Sequence, residues 1–164
     1  MTENVFFDDP AAVIAAHYAQ VWASTAMPEA TVNRRLQVAA LDFVRCQGDW
    51  LGAVVAPWAI HLILINGGGH LWGEIPPGQR RYLALPGGTL AFVAAGEPEI
   101  GTWQYASLCD STTAVADMKT ARLIAADGLR MALGFPGAAD EPITAPRAPV
   151  SRRGFLRRLA GKPA

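Results

Sequence analysis

Val13, Ile14, Tyr18, Val21 and Trp22, with His17 among them, recur at helical spacing along one face. Asp9-Pro10 ahead of them reads as a cap followed by proline at the first helical position. Pro28 disfavours helix at Met27, so a helix over about 10–26 is predicted, with a weaker helical piece over 29–36. From residue 38 to 108 the pattern changes to short strands and turns. Residues 41–47 alternate loosely, Gln47-Gly48-Asp49 reads as a hairpin turn, and 50–56 is the return strand. Residues 59–65 form a continuous apolar run, typical of a strand buried on both faces, ended by Gly67-Gly68-Gly69. An exposed loop over 73–81 leads to strands at 82–85 and 89–94, broken by Pro86-Gly87-Gly88. Residues 102–108 close the sheet with Trp103, Tyr105 and Ser107 on one face. Thr112 or Thr113 then caps a helix over about 113–133 carrying Val115, Met118, Ala125, Leu129 and Ala132, weakened a little by Gly128 and stopped by Gly134 and Pro136. The predicted fold class is α+β: an antiparallel sheet of about five or six strands with both long helices packed on one face. A two-layer sandwich is favoured over a closed barrel, because the amphipathic helices need a face to cover.

At 164 residues and 51% hydrophobic content, one domain with a substantial core is expected. No apolar run approaches the roughly 18 residues that span a bilayer. The opening MTENVFFDDP is acidic and lacks the apolar stretch of a secretory signal. Cys46 and Cys109 form no CxxC pair, so a disulfide scaffold is not expected and a cytoplasmic location fits.

The net charge of zero conceals a polarity. Residues 1–146 hold eight basic and fourteen acidic side chains, net −6, whereas residues 147–164 are net +6. A basic tail on an acidic body suits nucleic acid, an acidic membrane surface or the body itself. Nucleic acid is the weakest of these, since the body has no basic stripe to extend the contact. The chain divides into a domain at 1–136, a proline-punctuated linker at 137–150, extended and mobile by composition, and a basic tail at 151–164.

Catalytic chemistry is hard to find. His17, His61 and His70 show no metal-ligand spacing, and the first two lie in apolar patterns that favour buried, hydrogen-bonded roles. The glycine clusters match neither a P-loop nor a dinucleotide fingerprint and read as turns. Ser107 and Cys109 have no evident partner base, and Glu97 with Glu99 flanks a turn. No catalytic residue, metal or cofactor is expected. The aromatics are more telling: Trp22 lies on the first helix, and Trp50, Trp58, Trp72 and Trp103 lie in the strand region. Two or three of these five belong in a core, and Trp58 and Trp72, each beside a break, are the best surface anchors.

Ser151-Arg152-Arg153-Gly154-Phe155-Leu156-Arg157 matches the S-R-R-x-F-L-[KR] pattern of a twin-arginine export signal. The residues after it supply no apolar h-region, so export of this chain by that motif is not expected. A short basic amphipathic helix, with Phe155, Leu156 and Leu159 on one face, accounts equally well for the composition. Mimicry and chance both stay open.

The stretch CQGDWLGAVVAPWAIHLILI, a following tryptophan, LALPGGTLAFVAAG and WQYASL together resemble the HybE/HupJ family of NiFe-hydrogenase assembly chaperones, over about residues 10–135. Gly48, Trp50, Pro57, Trp58, Leu85, Pro86, Gly88 and Phe92 match its G-x-W…PW…LP-x-G-x-x-x-F pattern. The resemblance implies a non-enzymatic cytoplasmic chaperone for a NiFe uptake hydrogenase. It would bind the small-subunit precursor, its twin-arginine signal peptide, or both, delaying export until assembly is complete. Other maturation proteins and a homodimer are further partners to consider, with no nucleic acid and no stable membrane insertion. The partner-binding set it suggests, with Trp72 added, is Trp50, Pro57, Trp58, Trp72, Leu85, Pro86 and Phe92. Some relatives are joined to a rubredoxin, whose paired CxxC motifs this chain lacks. Two alternatives stay open: an accessory enzyme or electron-transfer factor in iron–sulfur cluster assembly, and a membrane-surface adaptor using the basic tail. On the chaperone reading, the tail could occupy its own domain until a client displaces it.

Overall fold

The structure, a computed structural model, describes residues 5–98, 100–109 and 111–135. The linker and the signal-like residues Ser151, Arg152, Arg153, Phe155, Leu156 and Arg157 lie outside the described residues. Helix α1 (Ala11–Ser24) precedes strands β1 (Ala39–Cys46), β2 (Asp49–Ala56), β3 (Ala59–Ile65), β4 (Arg80–Leu85), β5 (Gly88–Glu97) and β6 (Gly101–Ser107), and helix α2 (Met118–Ala132) follows. Single helical turns occur at Glu29–Thr31 and Thr112–Ala114.

The six strands form one antiparallel sheet in the order β1-β2-β3-β6-β5-β4. Gln47 and Gly48 both adopt positive φ, 51° and 91°, the geometry that a two-residue hairpin needs to match strand twist. Asp42, at φ 51°, sits where the β1–β2 register slips between Leu41 and Val44. That bulge bends an edge strand away from further pairing.

The expected α+β class and six-stranded sheet are present, but the helices do not share a face. Residues Leu51, Ala53 and Val55 of β2 and Ile60, Leu62 and Leu64 of β3 pack in one cluster with Ala121, Ala125, Leu129 and Ala132 of α2. Val54 and Ala56 of β2 and Ile63 and Ile65 of β3 pack in another with Ile14 and Tyr18 of α1. Alternate residues of a strand point to opposite faces, so the two helices cover opposite sides of the sheet. The cause is the unbroken apolar character of β2 and β3. Strands with no polar face must be covered twice, and each helix has one apolar stripe to offer.

The helix limits also shift. Asp9 Oδ1 accepts from the Ala11 amide at 2.8 Å, holding the start of α1. The α2 cap is Asp117, whose Oδ1 accepts from the Thr120 amide at 2.8 Å, whereas Thr112 and Thr113 belong to the preceding turn capped by Ser111. Gly128 lets α2 approach the sheet: a Cβ there would lie 2.7 Å from the Leu108 side chain.

The crossover from β3 to the far edge is tied down by one carboxylate. Asp49 has no exposed surface, yet it accepts four backbone N–H bonds: Oδ1 from Gly67 and Gly69 at 2.9 Å, Oδ2 from Leu71 and Trp72 at 2.8 Å. The triple glycine serves this approach, since a Cβ on Gly69 would lie 2.5 Å from the Asp49 backbone nitrogen. Downstream, Arg81 donates to the carbonyls of Leu71 (2.9 Å) and Gly73 (3.1 Å), and buried Gln104 donates to Gly73 at 2.7 Å.

Candidate protein-binding site

On the α1 side of the sheet the aromatics form a continuous row. Trp22 stacks on Trp58 with ring centres 6.1 Å apart, and Trp58 stacks on Tyr18 at 5.7 Å. Tyr18 meets His61 edge-on at 5.8 Å, and His61 stacks on Tyr105 at 4.5 Å. Beside them His17 packs edge-on against Trp103 at 4.9 Å. Helical spacing delivers Trp22, Tyr18 and His17 from α1. The β2–β3 turn delivers Trp58, and the β3–β6 register aligns His61 with Ser107 and Ile63 with Tyr105. Arg34 lies over the Trp22 ring at 5.4 Å and also pairs with Glu29, closing the outer end of the row.

The Tyr18 hydroxyl and His61 Nδ1 are 2.8 Å apart. Burial pushes the His61 pKa down to about 4. The imidazole is therefore neutral at physiological pH, its Nδ1 free to accept from the phenol. Burial also drives the Tyr18 phenol up, with Tyr105 adding to it; nearby Trp103 opposes weakly, although its Nε1 lacks a full hydrogen-bond partner. Such a pair holds α1 on the sheet and is poorly suited to proton transfer near neutrality. The Cys46 thiol is likewise raised, by burial and then by Asp49. Among the described residues, no group of three or more His, Cys, Asp or Glu side chains is placed to hold a metal ion.

Next to this row, α1 and the β5–β6 turn enclose an open cleft of about 710 Å³. Val13, Val21 and Ile100 give it apolar walls, His17 and Gln20 give it hydrogen-bonding groups, and Glu97 is the carboxylate among its lining residues. Val13, 42% exposed on α1, is one of the few large apolar side chains left open to solvent among the described residues. The remainder of this sheet face, towards the β4 edge, carries Tyr82, 60% exposed.

The residues singled out from sequence fall in several places. Trp58 is half-buried between Tyr18 and Trp22. Trp50 shares its face, donating from Nε1 to the Phe6 carbonyl at 2.9 Å beneath the Arg45 guanidinium. Pro57 is buried, and its carbonyl accepts from the Asn33 amide (2.8 Å) and the Thr112 hydroxyl (2.7 Å). Trp72, Leu85 and Phe92 belong to the opposite, α2-side cluster, with Phe92 fully buried. Pro86 is exposed in the β4–β5 turn, where the neighbouring Gly87 amide donates to the Ala132 carbonyl at the end of α2. These seven residues thus form no common surface. Trp50 and Trp58 pack on the α1 side of the sheet, whereas Trp72, Leu85 and Phe92 pack on the α2 side.

Sequence reasoning missed the Tyr18–His61 pair, the Asp49 hub and the cleft. Each joins residues far apart in the chain, and none has a local pattern. The only available signal was His17 and His61 recurring within apolar faces.

Trp58→Ala is expected to cost about 2 kcal/mol in urea unfolding, below the ~3–5 of a fully buried tryptophan because Trp58 is only half-buried. Trp58→Phe should recover most of it. A loss under about 0.5 kcal/mol would mean that the stack does not hold α1.

A family model described as "[NiFe]-hydrogenase assembly, chaperone, HybE" matches residues 9–158. Protein HoxT of Cupriavidus necator is 32% identical over 146 residues, covering 80% of each chain. The hydrogenase-2 operon protein HybE of Escherichia coli K12 is 24% identical over 159 residues, 95% of this chain and 94% of that one. The solution structure of HybE from Escherichia coli shares the fold, with a TM-score of 0.65 at 24% identity, over 92% of this chain and 94% of that one. With nearly the whole chain matched and the sheet and helices in common, this protein belongs to the HybE family of [NiFe]-hydrogenase assembly chaperones.

Proposed function

We propose that this chaperone binds the precursor of a [NiFe]-hydrogenase small subunit through its twin-arginine signal peptide, on the cytoplasmic side, and delays export until assembly is complete. The observation that carries this reading is the cleft between α1 and the β5–β6 turn, with its apolar walls and a carboxylate. A twin-arginine signal presents guanidinium groups next to large apolar side chains, and that cleft offers a partner for each. Recognition of this kind needs no turnover.

The test is co-purification from a strain expressing the hydrogenase, with the small-subunit precursor compared against a version lacking its signal. Retention of the precursor and loss of the signal-less form are expected. Equal retention of both would place recognition in the mature subunit. Retention of neither, with the protein instead carrying stoichiometric iron, would favour an electron-transfer role.

A further inference from the structure

Neither the fold nor the proposed client site accounts for residues 151–157. The motif places Arg152 and Arg153 before Phe155 and Leu156, in signal order. Arg158, Lys162 and Pro163 follow at once, so no apolar stretch of the kind an export signal requires begins there. The motif carries the paired arginines and the apolar residues by which a signal is recognised. We infer that residues 151–157 are a built-in competitor that occupies the cleft between α1 and the β5–β6 turn of their own chain. This rests on the reading that a client signal uses the same cleft.

The chemistry matches side by side. Glu97 has no ion-pair partner among the described residues, and it stands at the cleft where a guanidinium from Arg152 or Arg153 can reach it. Val13, Val21 and Ile100 line a trough for Phe155 and Leu156. Long-range charge agrees, with the net +6 of residues 147–164 set against the net −6 of residues 1–146.

The tail reaches the cleft, at the other end of β5 and on the other sheet face, with its linker largely extended. The described chain ends at Phe135, beside the β4–β5 turn, and fifteen residues (136–150) separate it from Ser151. Fifteen residues span up to about 50 Å, against a domain roughly 35–40 Å across. A tether of this length corresponds to an effective concentration on the order of a millimolar. A tail with an intrinsic Kd of about 100 μM would then weaken a client's apparent affinity roughly tenfold. A folded, unloaded chaperone would release weak or non-cognate signals and hold only a client that outcompetes the tail.

The experiment compares the full-length protein with full-length Arg152→Gln/Arg153→Gln, using two readouts. First, amide chemical shifts are recorded without any client. Val13, Gln20, Val21 and Ile100 are expected to move at low protein concentration, while β2 and β3 amides stay fixed as a control for the fold. Second, a twin-arginine signal peptide is titrated by calorimetry, and the substituted chain is expected to bind it about tenfold more tightly. Unmoved cleft amides would overturn the inference whatever the client does. So would shifts that appear only as protein concentration rises, which would assign the tail to a second copy. Substitutions that leave the cleft unchanged but release the protein from anionic phosphatidylglycerol vesicles would overturn it too, assigning the tail to a membrane surface. If the cleft amides move but neither protein binds the signal peptide, tail docking stands and the client reading falls.

Discussion

Asp49→Ala is expected to destabilise the domain by about 3–5 kcal/mol, lowering its melting temperature by roughly 10–20 °C. The carboxylate is fully buried and satisfies the amides of Gly67, Gly69, Leu71 and Trp72. Removing it leaves those donors without their acceptor inside the fold, and each is a charge-assisted bond stronger than a neutral one. Asp49→Asn separates shape from charge. It keeps one oxygen but turns an NH2 towards amides that also donate, so its loss should be nearly as large. Hydrogen exchange identifies the mechanism. Protection should collapse first at the four donor amides and spread to the 71–73 segment that Arg81 and Gln104 hold. A loss under about 1 kcal/mol in both variants would show that water replaces the carboxylate without difficulty.

The second large effect is acid sensitivity through His61. Its folded pKa is about 4, and that of an unfolded histidine is ~6.5. Above pH ~6.5 both states are neutral, and the residue contributes no pH dependence. Between about pH 6.5 and 4 the unfolded chain takes up a proton that the folded chain refuses, so stability falls as the solution is acidified. Below about pH 4 both states carry the proton and the slope disappears. The total is about 3 kcal/mol. Urea unfolding at pH 7.0, 5.5 and 4.5, with His61→Gln as reference, measures it. Glutamine keeps an acceptor for the Tyr18 hydroxyl but cannot titrate, so the wild type should lose about 3 kcal/mol more than the variant over that window. Glu29 and Asp117, held low by Arg34 and by the Thr120 amide respectively, begin to lose their contribution as the pH falls through the ordinary carboxylate range, and do so equally in both proteins. Parallel profiles for the wild type and His61→Gln would show that the imidazole is already open to solvent.

The strands, the Gln47-Gly48 hairpin and the two helices were legible because each is written in neighbouring residues. Period-two or continuous apolar runs, glycine where φ is positive, and apolar spacing of three and four are all local signals. The side on which each helix packs was not local, although the run at 59–65 already required cover on both faces. The pattern at Trp50, Pro57, Trp58, Leu85, Pro86 and Phe92 marked the family without marking a surface, because a recurrent residue can be fixed by the core, as Phe92 is, as readily as by a partner.

The sequence by itself determined the α+β class, the strand and helix inventory, the charge division between body and tail, and the signal-like order of residues 151–157. Only the tertiary structure decided which groups meet. Asp49 binds amides some twenty residues away, Tyr18 reaches His61 across 43 positions, and α1 meets the β5–β6 turn to open a cleft. Local patterns follow from steric and solvation preferences of adjacent residues. Those long-range pairings follow from how strands order within a sheet and which face each helix covers, and no short stretch of chain contains that information.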